Sequence, residues 1–341
     1  MATGEEALTD RLGRPLRDLR VSLTDRCNFR CPYCMPSDVF GPDYPFLRPD
    51  ALMSPDEIAK LVRALVPLGL EKVRLTGGEP LLRREVVEIV EKVAAVPGLH
   101  EIAMTTNGSL LTREKAMALK KAGLTRITVS LDALRPDVAA RMNGVRFPVH
   151  RVLTAIEAAE EAGLAPVKVN VVVRRGWNED EVVAIAERFR GTGVIVRFIE
   201  YMDVGTTNGW RMEDVVTADE ILAWIGARYP LEPLPPRREG EVATRYRYRD
   251  GQGEIGVIHS VSRPFCRFCT RLRVTAAGEL FTCLFGARGV SLRPLFDRGA
   301  SEEEIGAFVA DVWRKRQDRY SELRSEATAR KPKVEMSRIG G

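Results

Sequence analysis

The stretch Leu19-Arg20-Val21-Ser22-Leu23-Thr24-Asp25-Arg26-Cys27-Asn28-Phe29-Arg30-Cys31-Pro32-Tyr33-Cys34 decides how this chain is read. Its first part, Leu19–Thr24, is a short β-rich run. Its second part sets three cysteines in C-x3-C-x2-C spacing. Soft thiolates crowded together at the end of a strand suit iron or zinc. Three ligands leave one corner of a four-iron cluster without a protein donor. A closed structural site would want a fourth ligand close by. The nearest histidine, His100, is too far along the chain to belong to the motif.

Working outward, β-rich runs alternate with amphipathic helical patterns. Strands are expected at Leu19–Thr24, Lys72–Thr76, Glu101–Thr105, Arg126–Leu131, Val167–Val173 and Val194–Ile199. Helices are expected near Ser54–Val66, Arg84–Val96, Thr112–Ala122, Val149–Ala162 and Asn178–Arg190. Ser54-Pro55-Asp56-Glu57 and Asn178-Glu179-Asp180 read as helix starts, and Gly69, Gly123 and Gly163 as stops. Six strand–helix repeats imply a parallel sheet with helices outside. They are too few for an eight-fold barrel, so an incomplete (β/α)6 barrel is expected. Functional residues should then gather at the C-terminal strand ends, where Cys27, Gly77, Thr105, Ser130, Asn170 and Tyr201 all fall.

From about Asp203 the pattern changes. A proline-rich segment, Pro230–Pro236, precedes antiparallel strands at Thr244–Tyr248 and Gly256–His259. A cysteine hairpin and a helix near Glu302–Arg316 follow. The expected division is a barrel over 1–215 and a C-terminal α+β appendage over 216–341 covering its mouth. That appendage carries a second triplet, Cys266, Cys269 and Cys283. A zinc ribbon would need a fourth ligand, for which His259 is the only nearby histidine; the alternative is a second open iron site.

Composition agrees with an enzyme of ordinary globular type. Of 341 residues, 45% are hydrophobic and 29% charged. No apolar run reaches membrane-spanning length, and the polar, acidic start is not a signal peptide. The chain is expected to be cytoplasmic, without a membrane partner. Its six cysteines are then free thiols rather than disulfides. The net charge of +5 is mild. Basic residues thicken near the end, but no aromatic-interleaved basic surface accompanies them, so nucleic acid is not the expected partner.

The cysteine loop resembles that of the radical S-adenosylmethionine (radical SAM) superfamily. Thr76-Gly77-Gly78-Glu79-Pro80, ending the second strand, resembles the family's motif for the amino group of S-adenosylmethionine. Over essentially the whole chain the sequence is similar to the branch that cyclises GTP in molybdenum cofactor biosynthesis. The stretches that carry this are Leu19–Cys27, Val73–Pro80, Thr105–Gly108, Val129–Asp132, Lys168–Asn170, Arg197–Gly205, Cys266–Arg273 and the terminal Gly340-Gly341.

The resemblance implies two 4Fe–4S clusters, held by Cys27, Cys31 and Cys34 and by Cys266, Cys269 and Cys283. It implies S-adenosylmethionine contacts at Tyr33, Gly78, Ser130, Asn170 and Met202. It implies GTP contacts at Arg20, Lys72, Arg74, Thr105, Lys168, Arg197, Arg271 and Arg273, with Arg271, Arg273, Gly340 and Gly341 in catalysis. A 5′-deoxyadenosyl radical would take the ribose 3′ hydrogen, and the carbon radical would attack C8 of guanine. An external electron donor, a downstream cyclic pyranopterin monophosphate synthase and a homodimer are implied with it. The physical chemistry agrees, because guanidinium forks pair with phosphate oxygens bidentately. Arg197 in particular sits in the otherwise apolar run Val194–Ile199. Two rivals stay open here: a radical SAM maturase acting on peptide, and an iron–sulfur or zinc protein that binds nucleic acid. The second leaves Gly77-Gly78-Glu79-Pro80 without a purpose.

Overall fold

The computed structural model describes residues 8–238, 240–329 and 331–340. Six strands alternate with helices in the first part of the chain. They are β1 (Asp18–Ser22), β2 (Lys72–Thr76), β3 (Glu101–Thr106), β4 (Arg126–Ser130), β5 (Lys168–Val173) and β6 (Ile195–Glu200). The helices among them are α1 (Pro55–Leu65), α2 (Val86–Ala94), α3 (Arg113–Lys121), α4 (Pro136–Asn143), α5 (Val149–Glu161) and α6 (Val182–Phe189). α7 (Ala218–Arg228) follows, and then β7 (Leu231–Leu234), β8 (Thr244–Tyr248), β9 (Glu254–Ile258), β10 (Arg271–Val274), β11 (Glu279–Phe281) and β12 (Val290–Ser291). The incomplete barrel is as expected, with one added helix, α4. Among the described residues no helix is long and apolar enough to cross a membrane.

One sheet contains all twelve strands, in the order β12-β11-β10-β1-β2-β3-β4-β5-β6-β9-β8-β7. β1 to β6 are parallel neighbours, as βαβ units require. The later strands enter the same sheet from both sides: β10 pairs parallel with β1, and β9 pairs parallel with β6. The C-terminal segment therefore lengthens both open edges of the barrel.

Alternation along each strand sorts the side chains to two faces. Val73, Leu75, Ile102, Met104, Ile127, Val129, Val169, Val171, Val196 and Phe198 belong to the apolar core under the helices. The residues between them, Ala103 excepted, are charged or polar and take the other face. Helix starts and stops follow the chemistry. At α1, Ser54 and Glu57 form a reciprocal capping box. Gly69, Gly123 and Gly163 all have positive φ. The expected cap at Asn178 is not formed. Its Oδ1, the atom that would cap, accepts from the Arg174 amide at 2.9 Å, its Nδ2 donates to the carbonyls of Asp132 and Val172, both at 2.8 Å, and α6 begins only at Val182.

The helix Glu302–Arg314 packs on α1 and closes the molecule near its beginning. Trp313 is fully buried and its indole N–H donates to the Arg14 carbonyl at 3.0 Å. Trp313→Ala should cost about 3–5 kcal/mol in urea unfolding, as large-to-small changes in cores do. Trp313→Phe should cost about 0.5–1.5 kcal/mol from the lost indole bond, since the Arg14 carbonyl keeps the Asp10 amide as a donor at 3.1 Å. A Trp313→Phe variant as stable as the wild type would show that the indole bond contributes nothing.

Candidate active site

The polar face of the sheet encloses a cavity of about 340 Å³. In-register residues stand in rows across it. Arg273, Arg20 and Arg74 lie side by side on β10, β1 and β2. Thr105, Thr128 and Lys168 form a second row on β3, β4 and β5. Ser130, Asn170 and Arg197 form a third on β4, β5 and β6. Next to Arg197 in that row is Gly256, where a Cβ would come within 3.3 Å of the Arg197 side chain.

All eight residues expected at GTP line this one cavity, with Cys266, Cys269 and Cys283. Of the residues expected at S-adenosylmethionine, Asn170 and Met202 line it as well. Ser130 is in register with Asn170. Tyr33 and Gly78 lie instead with the first cysteine loop. Gly340 reaches the cavity from the tail, its carbonyl accepting from Arg273 Nη1. Gly341 lies outside the described residues.

Twelve basic and four acidic side chains line the cavity, an excess that selects for an anion. Arg74 donates to Thr105 Oγ1 at 3.0 Å, and Arg74 and Arg197 share Thr128 Oγ1 at 3.4 and 3.3 Å. Lys72 pairs with Glu101 at 2.6 Å. Burial first, and then mutual repulsion, pushes the arginines downward from their ordinary values: Arg20, Arg74, Arg197 and Arg273. Guanidinium does not give up its proton in proteins. The repulsion is therefore held in the empty site and relieved by an anion. Lys168 can lose its proton. Burial, then Arg197, Arg126 and Arg74, bring it down to about 7. Among the described residues Asn170 Oδ1 is buried without a partner, an acceptor in the cavity lining left for a ligand.

The first cysteine loop is built on backbone turns, with the amides of Cys34 and Met35 donating to the Cys31 carbonyl. Arg30 braces it by donating to the carbonyls of Cys27 at 2.6 Å and Phe40 at 2.7 Å. Gly78 must be glycine, because a Cβ there would strike the Arg26 carbonyl behind Cys27. Glu79 is buried and accepts from Thr106 Oγ1 and from the amides of Leu81 and Asn107. Burial outweighs those bonds and raises it to about 7. Tyr33 donates to Asp132 at 2.6 Å.

Both triplets suit iron–sulfur ligation by donor chemistry: three soft sulfurs each, in turns, with N–H groups aimed at sulfur. The Phe29 amide and Asn107 Nδ2 face Cys27 Sγ at 3.4 and 3.8 Å. Burial raises Cys27 to about 11 and Cys283 to about 11, so loading must release protons. Cys269 differs. Burial raises it, but Arg271 and Arg316 outweigh burial and bring it to about 6. His259 does not join the second triplet, and its Nδ1 faces Ser262 Oγ at 3.5 Å.

Some lining residues escape a reading of the sequence. Arg126 opens β4 as its only charged residue, a signal like that of Arg197 in the otherwise apolar run Val194–Ile199. Arg14 and Arg316 hold the carbonyls of Cys266 and Cys269 at 2.8 and 2.7 Å, and Asp10 joins them from behind. Their separation in the chain hides that grouping.

Lys168 generates a pH prediction. An amine near 7 in the free protein is mostly neutral above that pH, and a bound anion restores its proton. Binding of inorganic tripolyphosphate should take up protons between about pH 7 and 9 and weaken as the pH rises through that window. Calorimetry in buffers of different ionisation enthalpy measures the uptake. Lys168→Met should reduce it, leaving the share of Lys72, which burial and then Arg74 and Arg126 lower to about 6 in the same cavity. Equal uptake in that variant would assign the proton to another group.

The family profile of the radical SAM superfamily matches residues 21–189, and that of Molybdenum Cofactor Synthesis C matches residues 194–322. The chain is 49% identical to a GTP 3′,8-cyclase of Acidothermus cellulolyticus, over 98% of this chain and 99% of the relative. It is 50% identical to one of Xanthomonas campestris pv. campestris, over 98% and 97%. It is 41% identical to one of Staphylococcus haemolyticus, over 98% and 99%. The fold resembles Streptococcus suis SuiB bound to S-adenosylmethionine, with a TM-score of 0.60 at 12% identity. That match spans 79% of this chain but 60% of SuiB. With full-length relatives at this identity behind the geometry, the chain belongs to the radical SAM superfamily and, within it, to the family of the GTP 3′,8-cyclases.

Proposed function

We propose that this enzyme converts GTP into 3′,8-cyclo-7,8-dihydro-GTP, the first step of molybdenum cofactor biosynthesis. The observation that carries the reading is the meeting of Arg20, Lys72, Arg74, Thr105, Lys168, Arg197, Arg271, Arg273 and the second cysteine triplet around one cavity. The peptide-maturase alternative has no comparable observation, since a peptide does not call for this excess of buried positive charge.

Superfamily membership brings an iron–sulfur cluster and S-adenosylmethionine, and together these supply a hydrogen-abstracting deoxyadenosyl group. We assign that cluster to Cys27, Cys31 and Cys34, and a second one to Cys266, Cys269 and Cys283. S-adenosylmethionine is assigned to Tyr33, Gly78, Ser130, Asn170 and Met202. The register supports this, because Ser130 and Asn170 stand in one row with Arg197, so the two small molecules would adjoin. Charge on Arg74, Lys168 and Arg197 would fix the triphosphate. Positioning of this kind is worth several kcal/mol of a barrier. Arg271 and Arg273 lie between β1 and the second triplet, where they would border the reacting nucleoside. Gly340, beside Arg273, would exclude water from that end. On this reading the boundary near residue 215 divides work rather than structure: residues 1–215 would generate the abstracting group and fix the triphosphate, and residues 216–341 would bring Arg271, Arg273 and the second cysteine triplet to the same substrate. An external reductant, a downstream cyclic pyranopterin monophosphate synthase and a homodimer complete the proposal.

The test is anaerobic reconstitution with iron and sulfide, reduction with dithionite, and mass analysis after adding S-adenosylmethionine and GTP. 5′-Deoxyadenosine and a cyclised isomer of GTP should appear together. Deoxyadenosine with GTP unchanged would return the maturase reading. Arg197→Ala should raise the KM for GTP about tenfold or more, as expected for one charge-assisted contact, with iron content unaltered. An unchanged KM would remove Arg197 from the substrate.

A further inference from the structure

The loop after β6 carries Met202-Asp203-Val204-Gly205, and only Met202 has a role so far. Asp203 is 2% exposed, yet it is not a spare carboxylate. It accepts from Arg324 Nε at 2.9 Å, from Lys333 Nζ at 3.0 Å and from the Tyr320 hydroxyl. Lys333 is also buried and donates to the Tyr320 oxygen and the Ala329 carbonyl. Arg324 reaches on to the Ser260 carbonyl at 3.0 Å. Three groups of the C-terminal tail thus converge on one residue of the barrel, and two of them are cations that, among the described residues, only this carboxylate offsets.

A second contact lies alongside. Glu335 accepts from the Thr206 amide at 2.9 Å and from the hydroxyls of Thr206 and Thr207 at 2.7 and 3.0 Å. Gly205 makes room for it: its φ is +66°, and a Cβ would collide with the Glu335 carboxylate. Five residues beyond Glu335 the chain delivers Gly340 to Arg273.

We propose that Asp203 and Glu335 are positioning residues that strap the C-terminal tail to the loop after β6 and so hold Gly340 in the cavity. Met202 is adjacent to Asp203 and Met336 is adjacent to Glu335, and both line the cavity. The strap therefore sets part of the cavity wall together with the tail itself. Its consequence for catalysis rests on the cyclase reading; the seating of the tail does not.

Hydrogen exchange of the protein as isolated tests the seating. Asp203→Asn leaves Arg324 and Lys333 buried without their counter-charge. Amides of residues 331–340 should then exchange about tenfold or more faster, with β1 to β6 unchanged. Should Asp203→Asn fail to fold, Glu335→Gln and Thr206→Val should shift the same segment in the same direction, and Thr206→Ser should restore protection. Unchanged exchange of 331–340 in both Asp203→Asn and Glu335→Gln would overturn the strap. In the reconstituted enzyme the folded variants should make less cyclised isomer per 5′-deoxyadenosine, with wild-type iron content. A wild-type ratio despite faster exchange would overturn the positioning role. A wild-type enzyme that makes no cyclised isomer would refute the cyclase reading instead, and the exchange measurement would still decide the strap.

Discussion

Like charges forced together on the inner face of a parallel sheet are the constraint around which this molecule is arranged. Arg273, Arg20 and Arg74 occupy neighbouring strands in one row, and Lys168 and Arg197 face them from β5 and β6. In water such a set would disperse. Here the backbone ladder fixes it, and the apolar core under the helices holds the ladder. Desolvation strengthens every repulsion among these groups. Stability spent in this way returns as affinity when a polyanion enters, which is the ordinary relation between a preorganised site and its ligand.

The two cysteine triplets solve one problem by different means. The first is braced by Arg30 and by the amides of Asn107 and Phe29, close to the negative Glu79. The second is held from behind by Arg14 and Arg316, with Arg271 directed at Cys269. Hydrogen bonds and charge near sulfur set the potential of an iron–sulfur centre. The contrast gives the two sites unlike electrostatic surroundings within one small protein.

Much of this was legible in the residues themselves. β1 to β6 could be read because each is an apolar run interrupted by one or two charges, and those charges proved to be the cavity lining. The capping box at Ser54 and the glycine stops were equally local. What escaped was tertiary. α4 spans only Pro136–Asn143 and buries Val138, Ala139 and Met142, too few positions for a helical repeat to stand out. The edge pairings of β9 and β10 are decided by which open strand lies nearest, which no local pattern contains. Asn178 has the sequence of a cap, but its Oδ1 is taken by the Arg174 amide and its Nδ2 by two backbone carbonyls. Asp203 looked like one acid in a recognised motif, and its partners lie more than a hundred residues away.

The pairing of β10 with β1 has a consequence for how the protein is made. Arg20 and Arg273 are neighbours in the sheet but far apart in the chain, so they are made at different times. On the ribosome, β1 to β6 can assemble while the outer edge of β1 is still bare. Long-range pairings of this kind form late, and exposed strand edges are open to wrong partners in the interval. The first cysteine triplet is complete before β2 is made, whereas the second follows only after β9. Maturation is thus ordered in time by topology: the chain can acquire the means of starting a radical reaction before it has a closed chamber in which to confine one.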